Sequence, residues 1–235
     1  MAATDKRVST LIDLSQEIYQ GMLVYPGHLN TVMWDYHTHE GTAGKFDSDL
    51  TYATKGLILS DHGPTHVDSI SHFDASPDAA TIDAMPLEGF WGPATCLDIS
   101  GATDQGRCTA DDLDAALADG DLRPGDILLL HTGNPERNAG TTEYLTDYPG
   151  LDASAAEWLA ARELKAFGID APTPDIPGDR IYPVHLMSRR EGMHHYENLA
   201  NLGAVAGRRF TFFGLPLKVR GGHGSPVRAT ALLDG

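Results

Sequence analysis

The chain has 235 residues, enough for one large domain or two small ones with a substantial core. It carries 33 acidic against 17 basic residues and a formal net charge of -16. This balance excludes a protein that neutralises nucleic-acid phosphates or an anionic membrane surface, and the 41% hydrophobic content argues against disorder.

The numbers of cysteines and histidines indicate the cellular compartment and the type of metal ligand to expect. Cys96 and Cys108 are too few for a disulfide framework or a thiolate zinc site, whereas there are 11 histidines. The first residues lack the apolar stretch of a signal peptide, and the longest apolar runs are too short to span a bilayer. We therefore expect a cytoplasmic protein whose metal ligands, if any, are imidazoles and carboxylates, a set that suits catalytic zinc, manganese or iron.

The first part of the chain predicts strands and one turn. The turn lies at Tyr25-Pro26-Gly27, and a strand over Thr31–His39 would place His37 and His39 on one face. The other strands predicted here are Leu11–Ile18 and Tyr52–Ser60.

The remainder alternates apolar strands with helices. Thr109 predicts the N-cap of a helix. The further predicted helices are Asp152–Lys165 and Val184–Arg190, and the predicted strands are Ala94–Ile99, Ile127–His131, Phe167–Asp170, Phe210–Leu217 and Val227–Leu233. A strand, a helix and a strand in succession predict a βαβ-like layer, hence a mixed α/β or α+β fold. We expect one compact domain over residues 1–235, with a mixed β-sheet core flanked by a few helices.

One short segment concentrates the residues that carry chemistry. His62, His66, Asp68 and His72 fall within D-H-G-P-T-H-V-D-S-I-S-H-F, where imidazole nitrogens and a carboxylate could bind a divalent metal. On an extended strand His62 and His66 would lie about 13 Å apart, so two ligands require a fold-back at Gly63-Pro64. The alternative is a polar loop whose histidines bind nothing.

Other candidates depend on the fold. The spacing from Asp68 to His72 is looser, so His72 could lie beside the metal without binding it and act as a proton-transfer group. His185 and Glu197 could complete the site or lie at the surface, and at most one of the neighbours His194 and His195 is expected to be functional. No serine-nucleophile, phosphate-binding or dinucleotide motif is present, which favours a metal-activated water.

The sequence resembles the cyclase family of metal-dependent hydrolases, which includes bacterial kynurenine formamidases and isatin hydrolases. The resemblance rests on the motif H-x-G-T-H-x-D-x-P-x-H-F, matched from His62 to Phe73, and on several further segments. These are Tyr25-Pro26-Gly27, Gly125–Gly133, Gly168–Asp175, His185 followed by Glu197–Leu202, and Gly224–Ala229. Pro64 and Ile70 depart from the motif, which has glycine and proline at those positions.

The resemblance implies roles for these residues. His62, His66 and Asp68 would be metal ligands, with His185 and Glu197 completing the shell of one ion or holding a second. His72 would be the general acid/base, and Tyr25 would line the substrate pocket. The resemblance further implies one or two Mn²⁺ or Zn²⁺ ions, a small aromatic amide or lactam substrate, and a homodimer or larger assembly.

The predicted activity is hydrolysis of an amide or lactam C–N bond, other than a peptide bond, by water activated at the metal. Two alternatives remain open at this point. One is a lactone hydrolase or a cyclase/dehydratase that uses the same metal site. The other is a protein that binds a metal or a metabolite without turnover.

Overall fold

A computed structural model describes residues 9–117 and 121–233, without the side chains of residues 103–105. The chain divides into two compact units. The larger unit contains residues 9–16 and 61–233, and the smaller unit is Glu17–Ser60. The expectation of a single domain over residues 1–235 stays a prediction.

The secondary structure mixes strands with short helices. In chain order the strands are β1 (Thr10–Asp13), β2 (Val32–His37), β3 (Thr54–Ile58), β4 (His66–Asp68), β5 (Trp91–Asp98), β6 (Arg107–Cys108), β7 (Ile127–His131), β8 (Gly150–Leu151), β9 (Ala166–Ile169), β10 (His195–Glu197), β11 (Arg209–Phe213), β12 (Gly224–Pro226) and β13 (Thr230–Leu233). The α-helices are α1 (His39–Thr42), α2 (Ile70–Phe73), α3 (Ala110–Leu117), α4 (Asn134–Asn138), α5 (Ala153–Ala160) and α6 (Pro183–Glu191). Short 3₁₀ helices cover Leu87–Phe90, Ser100–Gln105, Thr142–Leu145 and Leu202–Ala204.

The larger unit is built on a nine-stranded sheet with the strand order β1-β13-β11-β5-β7-β9-β10-β4-β12. Within this order the three pairs β5–β7, β7–β9 and β9–β10 are parallel. The other five pairs are antiparallel. The prediction of a mixed α/β fold is confirmed. The predicted βαβ unit is present as β7, α5 and β9, because the two strands are parallel neighbours with the helix between them in the chain.

Strand β7 shows how the sequence produces these layers. Its first four residues, I-L-L-L, are fully buried, which is typical of a strand covered on both faces. Leu128 and Leu130 pack in a cluster with apolar residues of α3, α5 and α6. Ile127 and Leu129 pack in a second cluster, with residues of β5, β11 and β13. Alternate side chains of β7 therefore point to opposite faces of the sheet and pack in two different hydrophobic cores.

Helix starts agree with the capping residues in the sequence. Asp152 caps α5 by accepting hydrogen bonds from the N–H groups of Ser154 and Ala155. Thr109 lies directly before α3, where its hydroxyl accepts from the N–H of Asp112 and the Asp112 carboxylate accepts from the N–H of Thr109. These reciprocal bonds fix the first turn, as predicted for Thr109.

The smaller unit consists of the antiparallel pair β2–β3 and the short helix α1. The turn predicted at Tyr25-Pro26-Gly27 is present, closed by the N–H of His28 donating to the Tyr25 carbonyl at 3.0 Å. The strand predicted over Thr31–His39 was wrong at its end. The Thr38 side chain accepts from the N–H of Gly41 and starts α1 at His39, so His37 and His39 do not share a strand face.

Within the described residues, no helix has the length and apolar character needed to cross a membrane.

Candidate metal centre

The His-rich segment folds back on itself, as its ligand spacing requires. The ring centroids of His62 and His66 lie 5.2 Å apart, on either side of Gly63-Pro64, whose peptide bond is cis. His62 Nδ1 lies 2.7 Å from Asp68 Oδ1. The prediction that the chain turns between the two histidines is confirmed.

Strand β4 places His66 and Asp68 on the same face, since they are two residues apart. Both side chains are buried, and His66 Nε2 lies 3.2 Å from Asp68 Oδ1. The neighbouring strand β10 pairs Glu197 with His66, which brings Glu197 Oε2 within 3.4 Å of His66 Nε2. Two buried carboxylates therefore meet around one imidazole.

Two further imidazoles approach the same pair of carboxylates. His195 precedes Glu197 by two residues on β10, and its Nε2 lies 3.5 Å from both Asp68 Oδ2 and Glu197 Oε1. Helix α6 supplies His185, whose Nε2 lies 3.9 Å from each of the same two oxygens. Asp68, His185, His195 and Glu197 each offer a donor atom within 4.8 Å of the others.

The other ring nitrogen of each of these histidines faces an acceptor. His66 Nδ1 lies 2.9 Å from the Pro64 carbonyl, and His185 Nδ1 lies 2.5 Å from Asp175 Oδ2. His195 Nδ1 lies 3.4 Å from the hydroxyl of Ser188. Metal-ligating histidines characteristically bond through one nitrogen while the other donates to a carboxylate, carbonyl or water. Pro64, a departure from the family motif, thus supplies the carbonyl that orients His66.

Unpartnered buried atoms supply the test of whether a cation fits. His66 Nε2, His195 Nε2 and Glu197 Oε1 are buried and have no hydrogen-bond partner among the described residues. Buried polar atoms are rarely left unpaired, because each costs roughly 1–3 kcal/mol. A divalent cation would satisfy all three, so the donor set fits a metal.

A second group of donors shares Asp68. Donor atoms of His62, Asp68 and His72 also lie within 4.8 Å of one another. A carboxylate has two oxygens, and those of Asp68 face different neighbours: Oδ1 faces His62 and His66, whereas Oδ2 faces His72, His185 and His195. The arrangement therefore offers positions for one cation or for two cations bridged by Asp68.

The buried carboxylates favour positive charge on the groups beside them. Burial lowers the pKa of His66, but the close approach of the Asp68 and Glu197 carboxylates outweighs this effect and raises it to about 10. Burial likewise opposes protonation of His185, whereas Asp175, Glu197 and Asp68 raise its pKa to about 9. Despite burial, the surrounding imidazoles hold the pKa of Asp68 well below its usual value. The pocket thus attracts positive charge.

His72 occupies the more open side of the cluster. It lies on α2, its ring centroid is 4.0 Å from that of His62, and its Nε2 lies 3.7 Å from Asp68 Oδ2. About a third of the His72 side chain is exposed (32%), against 1% for Asp68. Burial of the ring lowers its pKa to about 4, and the charge of Asp68 opposes the shift. At neutral pH His72 is therefore a neutral imidazole able to accept a proton.

Aromatic side chains fix the plane of His195. Phe73 stacks with it at 5.7 Å between ring centroids and an interplanar angle of 10°, and Phe167 stacks at 5.0 Å and 20°. Phe73 also contacts His185 edge-on at 5.8 Å. These aromatic contacts restrict the ring planes of both imidazoles, and the acceptors at Nδ1 set which nitrogen faces the carboxylates.

The structure brings together six of the seven residues predicted for the site. They are His62, His66, Asp68, His72, His185 and Glu197. The seventh, Tyr25, lies in the smaller unit, and its role in substrate binding stays a prediction.

The sequence reasoning did not choose between His194 and His195, of which at most one was expected to be functional, and it missed Asp175, whose carboxylate contacts His185. A signal for His195 was present, because it and Glu197 are separated by one residue and so share a face of any strand. The adjacent His194 points elsewhere, with Nε2 lying 3.1 Å from the Gly89 carbonyl.

Comparisons with known proteins find relatives along nearly the whole chain. Kynurenine formamidase from Bacillus cereus (strain ATCC 14579) is 28% identical over 223 residues, which cover 95% of this chain and 97% of that protein. Kynurenine formamidase from Maricaulis maris is 28% identical over 217 residues, covering 92% and 95%.

Solved structures share the fold. Isatin hydrolase A from Labrenzia aggregata superposes with a TM-score of 0.83 at 22% identity, covering 97% of this chain and 94% of that one. Isatin hydrolase A from Ralstonia solanacearum gives a TM-score of 0.83 at 23% identity, covering 96% and 92%.

A family model supplies the assignment. The Cyclase model matches residues 12–176, more than half of the chain, and this span includes His62, His66, Asp68 and His72. The chain belongs to the Cyclase family.

Proposed function

We propose that this protein is a metal-dependent hydrolase that cleaves the C–N bond of a small aromatic amide or lactam. The observation that carries the proposal is the set of imidazoles whose Nε2 atoms face two buried carboxylates while their Nδ1 atoms face acceptors. The chemistry of the relatives supports the substrate class, since those relatives are named kynurenine formamidases and isatin hydrolases.

The proposed ligands are His62, His66, Asp68, His185, His195 and Glu197. Imidazole nitrogens with carboxylate oxygens and no thiolate suit Mn²⁺ or Zn²⁺, in one or two positions. When bound, the metal would polarise the substrate carbonyl and lower the pKa of a water molecule. The buried position of Asp68 and Glu197 keeps bulk water from screening their charge.

His72 is the proposed general acid/base. Its lowered pKa leaves it neutral at physiological pH, so Nε2 can accept the proton that the attacking water loses. The same nitrogen then returns a proton to the leaving nitrogen as the C–N bond breaks. Its partial exposure supports this assignment, because a substrate must reach the side of the cluster where the proton is exchanged.

Several further assignments complete the proposal. Tyr25 would line the substrate pocket, the protein would act in the cytoplasm, and the working form would be a homodimer or a larger assembly. The role of Tyr25 and the assembly rest on the family resemblance. The cytoplasmic location rests on two cysteines that form no disulfide. The acidic composition supplies no basic surface for nucleic acid or anionic lipid.

A substrate panel with controlled metal content tests the function. Protein stripped by a chelator and then reloaded with Mn²⁺ or Zn²⁺ is assayed on an N-formyl aryl amide, an aryl lactam and a lactone of matched shape. We expect the reloaded protein to hydrolyse the amide or the lactam, and the stripped protein and Asp68→Ala to be inactive. Turnover of the lactone alone would favour the oxygen-leaving-group alternative, and a reloaded protein inert to the whole panel would refute hydrolysis.

A further inference from the structure

A second group of histidine and carboxylate side chains lies at the carboxyl ends of neighbouring parallel strands. Asp98 and His131 end β5 and β7 and are paired in register, and Asp170 directly follows β9. Glu136 comes from α4, which follows β7 in the chain. His131, Glu136 and Asp170 each offer a donor atom within 4.8 Å of the others. The carboxyl edge of parallel strands is a general location for ligand sites.

His131 has the orientation of a metal ligand. Its Nδ1 lies 3.2 Å from Asp98 Oδ1, and its Nε2 faces the Glu136 carboxylate at 3.6 Å. Nε2 is buried and has no hydrogen-bond partner within the described part of the chain. His185 shows the same arrangement, with Nδ1 on a carboxylate and Nε2 facing two more. A histidine held by a carboxylate through one nitrogen presents the lone pair of the other to a cation.

The charge around His131 is unbalanced. Three carboxylates, those of Asp98, Glu136 and Asp170, surround this one imidazole, and no described Lys or Arg forms an ion pair with any of them. The nearby Arg137 donates instead to the carbonyl of Thr132. The cluster therefore holds more negative charge than its own residues neutralise.

Asp170 is the buried member of the group. Its Oδ1 accepts hydrogen bonds from the N–H and the hydroxyl of Thr132 at 2.8 and 2.6 Å. Its Oδ2 accepts only a longer bond, 3.3 Å, from the N–H of Gly133, so this oxygen retains a lone pair. Burial raises the pKa of the Asp170 carboxyl, and the charge of Glu136 acts in the same direction. The charge of a cation bound beside this carboxylate would lower its pKa.

We propose that His131, Glu136 and Asp170 bind a divalent cation, with Asp98 orienting His131. This second cation site shares no ligand with the candidate metal centre, so the proposal does not rest on the proposed function. One imidazole nitrogen and two carboxylate oxygens, without a thiolate, fit Mn²⁺ or Zn²⁺, and three protein ligands leave coordination positions for water. Bound there, the ion would cross-link the ends of β7 and β9 and stabilise the folded state.

The test counts bound Mn²⁺ by electron paramagnetic resonance during titration of chelator-stripped protein. The variants are Glu136→Gln and Asp68→Ala, singly and combined, and Glu143→Gln is the matched control because Glu143 is an exposed carboxylate outside the cluster. We expect Asp68→Ala to retain a bound ion that is lost when Glu136→Gln is added. Glu143→Gln should bind as many ions as the unmodified protein.

Glu136 is half exposed, so its replacement by glutamine should not unfold the chain. If Glu136→Gln binds as many Mn²⁺ ions as the unmodified protein at every concentration, the site does not exist and His131 is only an ion-paired residue. A failure of the candidate metal centre gives a different result: Asp68→Ala would then lose no ion, whereas Glu136→Gln would still lose one. Asp98→Asn should weaken the second site about tenfold, and an unchanged affinity would overturn the orienting role.

Discussion

Asp175 holds His185 from the side opposite the candidate metal centre, with its Oδ2 2.5 Å from His185 Nδ1. The same carboxylate accepts from the backbone N–H of Val184 at 2.8 Å and of His185 at 3.4 Å, where α6 begins. Asp175 is fully buried. One carboxylate therefore fixes both the ring and the backbone of His185.

We expect Asp175→Asn to weaken metal affinity by about 10- to 100-fold, because the neutral amide is a weaker acceptor for Nδ1–H and no longer raises the basicity of the imidazole. The affinity is measured by competition with a chromophoric chelator. Asp179→Asn is the matched control, since Asp179 accepts from the N–H of Ile181 but does not contact His185. Equal affinities for the two variants would contradict a positioning role for Asp175.

His195 and His194 offer an internal comparison between adjacent residues. His195→Ala should lower metal affinity, because its Nε2 faces Asp68 and Glu197. His194→Ala should keep the metal and lower the unfolding free energy by about 1–3 kcal/mol, because the Gly89 carbonyl loses its partner. Elemental analysis and chemical denaturation measure the two effects. Full metal content in His195→Ala would remove it from the ligand set.

The segment His62–His72 was predictable as a metal site because four donor residues fall within eleven positions. At such short separations the local spacing limits how far apart the donors can lie. His195 was harder to identify because it reaches the site only when β10 lies between β9 and β4. The pairing of β10 with β4 joins segments that are far apart in the sequence. Asp175 was assigned no role for a related reason. Its contact with His185 requires α6 to begin where the backbone of Tyr182 adopts a left-handed conformation, φ 55°, which the sequence pattern did not indicate.

The fold class followed from periodicity, whereas the sheet order did not. The run Ile127–His131 was predicted with its observed bounds because a short, continuous apolar run that follows a turn is typical of a buried strand. The end of the strand predicted over Thr31–His39 failed because the capping hydroxyl of Thr38 outweighed the alternating pattern. Local hydrogen bonds thus decided a boundary that hydrophobicity alone could not.

His72→Ala should keep its metal and lose about 10²- to 10⁴-fold in kcat, the usual contribution of a general acid/base. Because the side chain is partly exposed, added imidazole should restore part of the activity. Steady-state rates with and without imidazole, together with metal analysis, measure this. A variant that turns over at the unmodified rate would exclude His72 from proton transfer.

Metal binding should release protons. In the metal-free pocket the raised pKa values of His66, about 10, and His185, about 9, keep both rings protonated at pH 7. A cation must displace these protons, so metal affinity should rise between about pH 6 and pH 9. The stabilisation that the protonated rings give the metal-free protein is complete below their unfolded pKa of about 6.5 and is lost as the pH passes through 9 to 10.

Calorimetric titration with Mn²⁺ in buffers of different ionisation enthalpy counts the released protons, and thermal unfolding of the stripped protein follows the loss of stability. Binding without proton release at pH 7, or a stripped protein that becomes more stable toward pH 9, would contradict the ligand assignment.

The most direct measurement is anomalous diffraction at the metal absorption edge from crystals of the reloaded protein. The account predicts a peak about 2.0–2.2 Å from carboxylate oxygens of Asp68 and Glu197 and from Nε2 of the histidines that face them. A protein that hydrolyses the aryl amide while no anomalous peak touches Asp68 or Glu197 would contradict it.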